Sequence, residues 1–419
     1  MRGRGAATLR HLLLACAILA VGTSPVAAAA PAADPPGSEI TVYLLTMGVG
    51  PAAWERFGHN AIVIEDRRAG TSIAYNYGMF SFRQDNFILR FLQGRMTYWM
   101  AGYPTDADVS RYEAAGRAVW RQELGLAPSA RLALREFLEW NAQPEHAYYR
   151  YDYYRDNCST RVRDAIDRAV GGALQAQTQL PGSGSFRFHT LRLNAHNPLL
   201  YTGLNLALGG GADLPVSRWD EMFLPLLLHD YLREIRIRDT SGVLRPLVVR
   251  EDTLVNATRY SAPSRPPPWG WGYLLIGTLI GSCCWWGGRR GSTSRGARAA
   301  LRIVGTGWAL VTGLAGLVMA GLWGFTDHAI AVRNQNVLQG TVVALALAMA
   351  LPLALRHRAR WSGVARVCAL MVGAASLAGL LLKLLPGADQ ENLQILALTV
   401  PANLGLVAGV LAGTARGGD

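Results

Sequence analysis

Apolar residues change their spacing along this chain in a way that divides it into three parts. After Arg2, Arg4 and Arg10 an apolar run, Leu12 to Val21, leads into small residues at Ala27 to Ala30. This is the pattern of a secretory signal peptide over residues 1–30, and it would export the chain behind it. Cys16, preceded by Leu13, Leu14 and Ala15, offers a lipoprotein-attachment reading, but the apolar run continues past it. Residues 36–262 alternate apolar and polar positions as a folded exported domain does, and residues 263–270 form a Pro-rich linker. Beyond it, apolar stretches at 271–287, 303–324, 338–355, 365–385 and 392–413 are separated by short polar links. Each approaches the length that carries a helix across a bilayer, so the pattern predicts a transmembrane domain of five helices over 271–413.

Within the exported domain, Ile40 to Leu45, His59 to Glu65 and Ile73 to Tyr77 read as strands of a small antiparallel sheet, with a Gly/Pro turn at Gly48 to Pro51. Ser129 is placed to cap a helix whose apolar face includes Leu132, Leu134, Phe137, Leu138 and Trp140, and Arg161 to Val170 predicts another. The fold class is therefore α+β, with one substantial core.

Charge then supplies orientation. The net charge of +12 invites a nucleic-acid reading, yet residues 34–268 carry 26 Arg against 25 Asp plus Glu. The excess lies in the leader and in two links, Arg289, Arg290, Arg295, Arg298 and Arg302 after the first apolar stretch and Arg356, Arg358, Arg360 and Arg366 after the third. Basic links of this kind stay in the cytoplasm, so no nucleic-acid partner is expected; the balance predicts a multi-pass membrane protein whose residues 36–262 lie on the outer side. Lys383, the only lysine, is expected to snorkel to the headgroups, and Trp269, Trp271, Tyr273, Trp285 and Trp286 to anchor the first span.

Cys158 is the only cysteine in the exported part. An internal disulfide there is excluded, and its setting, Asp156-Asn157-Cys158-Ser159-Thr160 before a helical pattern, favours a reactive thiol whose thiolate the helix start would stabilise. Most free cysteines are small buried hydrophobes, but polar neighbours on both sides argue against an apolar pocket here. Among His59, His146, His189, His196 and His229, His59 in Phe57-Gly58-His59-Asn60 is the best candidate base, because it opens a strand at a glycine turn. No His pair has the spacing of a helical metal site, so neither metal nor cofactor is expected.

A strand histidine followed about a hundred residues later by Asn-Cys at a helix start resembles the circularly permuted papain-like folds, including the NlpC/P60 relatives and the lecithin retinol acyltransferase group. More closely, Tyr43-Leu44-Leu45-Thr46-Met47-Gly48, Arg56-Phe57-Gly58-His59-Asn60-Ala61, Tyr75-Asn76-Tyr77-Gly78 with Phe80 and Phe82, and Tyr151-Asp152-Tyr153 leading to Cys158 resemble the periplasmic domain of the Lnb-type lipoprotein N-acyltransferases. Arg163-Asp164, Trp219 with Met222-Phe223-Leu224-Pro225, and Thr326-Asp327-His328 with Asn334 and Asn336 are similar to that family too. The resemblance implies an acyltransferase that takes a fatty acyl chain from a phospholipid as a Cys158 thioester and passes it to the N-terminal amine of a bacterial lipoprotein. Cys158 and His59 would be catalytic, a backbone N–H at Cys158 or Ser159 would face the oxyanion, and Asn76 is a candidate to orient the imidazole. Asn157, Asp327 and His328 are further candidates for support. A papain-like cell-wall peptidase or amidase would use the same two residues with water, and a non-catalytic envelope binding module would use neither.

Overall fold

The computed structural model describes residues 34–356 and 359–415; the leader, Cys16 and Arg358 lie outside them. The N-terminal half carries a main sheet of seven strands, β1 (Ile40–Met47), β2 (His59–Asp66), β3 (Thr71–Met79), β4 (Thr97–Pro104), β5 (Val119–Leu124), β6 (Tyr148–Arg150) and β7 (Val248–Val255). They form one antiparallel sheet in the order β6-β4-β3-β2-β1-β5-β7. The three expected strands are its centre. Alternation in β2 places Ile62 and Ile64 on one face and Ala61 and Val63 on the other, so both faces are covered.

Five helices set the site: α1 (Phe87–Gln93), α2 (Thr105–Ala114), α3 (Pro128–Asn141), α4 (Cys158–Ala169) and α5 (Phe186–Leu193). Helix α4 lays Val162, Ala165 and Ile166 on Ile62, Tyr75 and Tyr77, with Leu134 and Leu138 of α3 in the same core. Val109 and Tyr112 of α2 cover the opposite face. The expected helix at Ser129 starts earlier, with Pro128 in its first turn and no side-chain cap, and Trp140 is exposed instead of joining the apolar face. Pro serves at this position because its missing N–H has no helical partner there anyway.

The C-terminal half is helical: α6 (Gly270–Arg290), α7 (Thr306–Phe325), α8 (Val343–Ala354), α9 (Ala359–Leu381) and α10 (Leu393–Thr414). Among the described residues four helical stretches, Arg295–Phe325, Gln335–Ala354, Arg360–Leu384 and Leu393–Thr414, are long and apolar enough to cross a membrane. Helix α6 forms where a fifth span is expected, but glycine, serine and adjacent charge dilute its apolarity. It lies so close to α10 that a Cβ at Gly281 would fall 2.2 Å from the Pro401 carbonyl. Such contact at small residues is how helices gain packing energy where lipid offers no hydrophobic driving force. Gln339 ties the half together, its Oε1 accepting from Ser376 at 2.6 Å and Thr399 at 2.9 Å while its carbonyl accepts from Asn403.

The two halves are joined by backbone capture. Asn334 and Asn336 donate to the Leu206 and Asn205 carbonyls at 2.6 and 3.1 Å, and the Gly209 N–H donates to Ile330. Lys383 does not snorkel: its ammonium donates to Gln335 Oε1 and to the Ala388 and Gln390 carbonyls. Three oxygens supplied by neighbouring loops satisfy its donors without headgroups.

Candidate active site

The site is assembled where β2 begins. Gly58 has φ +84°, and a Cβ there would meet the Met47 carbonyl at 2.9 Å; only glycine lets the chain turn into β2 so tightly. His59 is the next residue, half-buried, with its ring stacked at 6.2 Å on Tyr112. On the neighbouring strand Gly78, φ +84°, leaves the space that Cys158 occupies, 3.1 Å from where its own Cβ would be.

Cys158 is the first residue of α4. Asn157 caps that helix, its Oδ1 accepting from the Ser159 and Thr160 N–H groups at 2.9 Å each. Its amide donates to the Tyr153 and Phe223 carbonyls at 2.9 Å, and Thr160 closes a capping box. Ser159 is fully buried, its hydroxyl 2.9 Å from Asn60 Oδ1 and 2.7 Å from the Met222 carbonyl. Asn157 and Ser159 therefore lock the start of α4 onto β2 and onto the Met222-Phe223 segment. That segment is held in turn by Arg163, which stacks on Trp219 and donates to its carbonyl at 2.8 Å. Asn157→Ala is expected to cost about 2–4 kcal/mol, the lost cap plus two buried carbonyls left unpaired. A thermal midpoint unchanged from wild type would contradict this.

The backbone N–H groups of Asn60, Ser159 and Cys158 favour the thiolate form of Cys158. His59 is tied to the start of α4 through its chain neighbour Asn60, whose Oδ1 accepts from the Ser159 hydroxyl. Burial nevertheless dominates, pushing the thiol up to about 11 against the pull of those N–H groups and Arg117. The expected resting thiolate is not the form present, because desolvation outweighs the helix start. Burial likewise pushes the His59 imidazolium down to about 4, against the Asn76 hydrogen bond and the Asp108 carboxylate. At neutral pH the two residues are a neutral thiol and a neutral imidazole. Iodoacetamide should alkylate Cys158 slowly at pH 7, with a rate that climbs toward pH 11. A rate already level at pH 7 would indicate a preformed thiolate.

Asn76 fixes which imidazole nitrogen is basic. Its amide donates to the Asp108 carboxylate at 3.0 Å and to the Ala74 carbonyl at 3.1 Å, so its Oδ1 is the atom facing His59 Nε2 at 2.9 Å. An acceptor there requires Nε2 to carry the proton, which leaves Nδ1 free to take one. Asp108, buried in the first turn of α2 and paired with Arg111, anchors this chain. Sequence reasoning missed Asp108, Tyr112, Arg117 and Asn60. For Asp108 the acidic first turn after Thr105 is a visible helix signal, but nothing in the sequence aims it at Asn76.

Asp327 and His328 are elsewhere. Asp327 pairs with Arg95 at 2.8 Å and Arg150 at 2.9 Å, and its N–H donates to Gln93. His328 Nε2 lies 3.2 Å from the Phe91 carbonyl, and its ring stacks on Tyr153 at 6.3 Å. They dock the loop after α7 onto α1; they are not in the Cys158 cluster. His189 is also spoken for, buried at 2.7 Å from Glu221. Among the described residues no three His, Cys, Asp or Glu side chains are grouped to hold a metal.

No curated protein and no solved structure matches the chain significantly. Four apolar helices behind a sheet-bearing domain fit a multi-pass membrane protein. Residues 30–197, which include β1 to β6 with His59, Asn76 and Cys158, match the family model described as the Lnb N-terminal periplasmic domain, and that segment is similar to the family's periplasmic domain.

Proposed function

We propose that this protein is a lipoprotein N-acyltransferase of the inner membrane, with a signal peptide at 1–30, a periplasmic catalytic domain at 36–262, a linker at 263–270 and five membrane-crossing helices, α6 included. The observation that carries the reading is Cys158 at a capped helix start whose next residue, Ser159, bonds to the strand that opens with His59, a histidine whose tautomer Asn76 and Asp108 dictate. A cysteine helix laid on an antiparallel sheet that presents the histidine is also the arrangement expected of a permuted papain-like fold.

His59 Nδ1 takes the Cys158 proton as the sulfur attacks the ester carbonyl of a phospholipid. The tetrahedral oxyanion accepts from the Cys158 backbone N–H, since the Ser159 N–H is held by Asn157 Oδ1, a contribution of about 10²–10³ in rate for one donor. Collapse breaks the ester bond, the imidazolium returns its proton to the departing lysophospholipid oxygen, and a thioester remains. The α-amine of a lipoprotein N-terminal cysteine then attacks, His59 takes its proton, and the amide leaves as the thiol re-forms. Two easier steps replace one difficult acyl transfer to nitrogen.

The test supplies purified protein in a bilayer with a diacylated lipopeptide. Gain of one acyl chain on the lipopeptide amine with equimolar lysophospholipid supports the reading. Release of free fatty acid alone, or cleavage of peptidoglycan peptides, would replace it with a hydrolase.

A further inference from the structure

Helix α1 has no buried residue: Ile88 is 73 % exposed, Leu89 54 %, Phe91 47 % and Leu92 55 %. A soluble domain does not leave such a helix in water, since an exposed cluster of this kind marks a contact site. Its position says what covers it. The carbonyls at its C-terminal end, Phe91 and Gln93, are met by His328 Nε2 and the Asp327 N–H, and Arg95 and Arg150 grip the Asp327 carboxylate. Asp327 stands two residues past the end of an apolar stretch, Arg295–Phe325, and Phe325 is itself 85 % exposed. The apolar helix is thus pinned at the level where a membrane span ends, with exposed Arg83 and Arg90 beside it for phosphate groups.

From α1 an aromatic row runs inward. Phe87 lies 5.1 Å from Phe82, Phe82 5.0 Å from Phe80, Phe80 5.1 Å from Tyr98 and Tyr98 4.0 Å from Tyr151. Tyr98 and Tyr151 pack against the same core as Cys158. We infer that α1 is immersed in the phospholipid surface and that this aromatic row guides an acyl chain from that surface to Cys158. The first half stands on the docking geometry alone; the second rests on the acyl-transfer reading.

The experiment reconstitutes the full chain in bilayers containing a phospholipid with a diazirine in its acyl chain. After irradiation the peptide carrying residues 87–93 should be labelled well above Val249, which is 55 % exposed on the strand at the opposite edge of the sheet. Labelling no higher than at Val249 overturns the immersion. Loss of labelling at high protein density, with crosslinked pairs of the chain, overturns it in favour of contact between copies. For delivery, Ile88→Asp/Leu92→Asp should slow thioester formation from bilayer phospholipid by about tenfold or more, and change it by less than about twofold with a short-chain phospholipid dispersed as monomers. Equal loss with both donors means the site itself was damaged and overturns delivery. Wild type that is labelled at α1 yet forms no thioester would sink the transferase reading while leaving the immersed helix in place.

Discussion

Cys158→Ala is expected to lower acyl transfer to a lipopeptide by about four to six orders of magnitude, because it removes the sulfur that carries the covalent intermediate. The fold should survive. The alanine Cβ keeps its place 3.1 Å from the Gly78 position, and the capping by Asn157 and the bonds of Ser159 do not use the sulfur. A normal thermal midpoint with transfer abolished therefore separates chemistry from stability. Transfer retained within about tenfold would make Cys158 a packing residue and favour a binding module.

His59→Ala should lower the same rate by about 10²–10⁴, the range for a positioned general base. The pH profile carries a second signature. His59 ionises at about 4, below the ordinary imidazole, so it stays the neutral base at pH 5 and 6. Protonation removes the base, so wild-type turnover should hold as pH falls through 6.5 and drop only near 4. In His59→Ala the surviving rate should rise with pH toward the thiol value of about 11, where the nucleophile ionises without help. A wild-type acid limb centred near 6.5 would contradict a desolvated His59.

Much of this is legible in the sequence, and the reasons differ by element. β1, β2 and β3 are central strands with strong apolar patterns, so their positions can be read directly. The outer strands β4 to β7 cannot: Val119-Trp120-Arg121-Gln122-Glu123-Leu124 mixes charge into a strand because Arg121 pairs with Asp252 across to β7. Cys158 and His59 stand out through their neighbours. Asn76 is visible only through family resemblance, and Asp108 not at all, since an Asn–Asp contact between a strand and a later helix has no local spacing. Asp327 and His328 are unusual enough to notice, but their partners, α1 and the arginines at the termini of β4 and β6, come from far along the chain. The resting state of the thiol departs from expectation for a different reason. The helix start is local and readable, whereas desolvation depends on the core that Cys158 shares with Tyr98, Tyr149 and Tyr151, which come from β4, β6 and the loop after β6.

The claim that this site makes a thioester is tested most directly by intact mass of the purified protein incubated with phospholipid and no acceptor. The account predicts a hydroxylamine-labile gain of one acyl chain on wild type, absent in Cys158→Ala and much slowed in His59→Ala, and discharged when lipopeptide is added. An unmodified wild-type mass under the same conditions, with the thiol still free to alkylate, would contradict it.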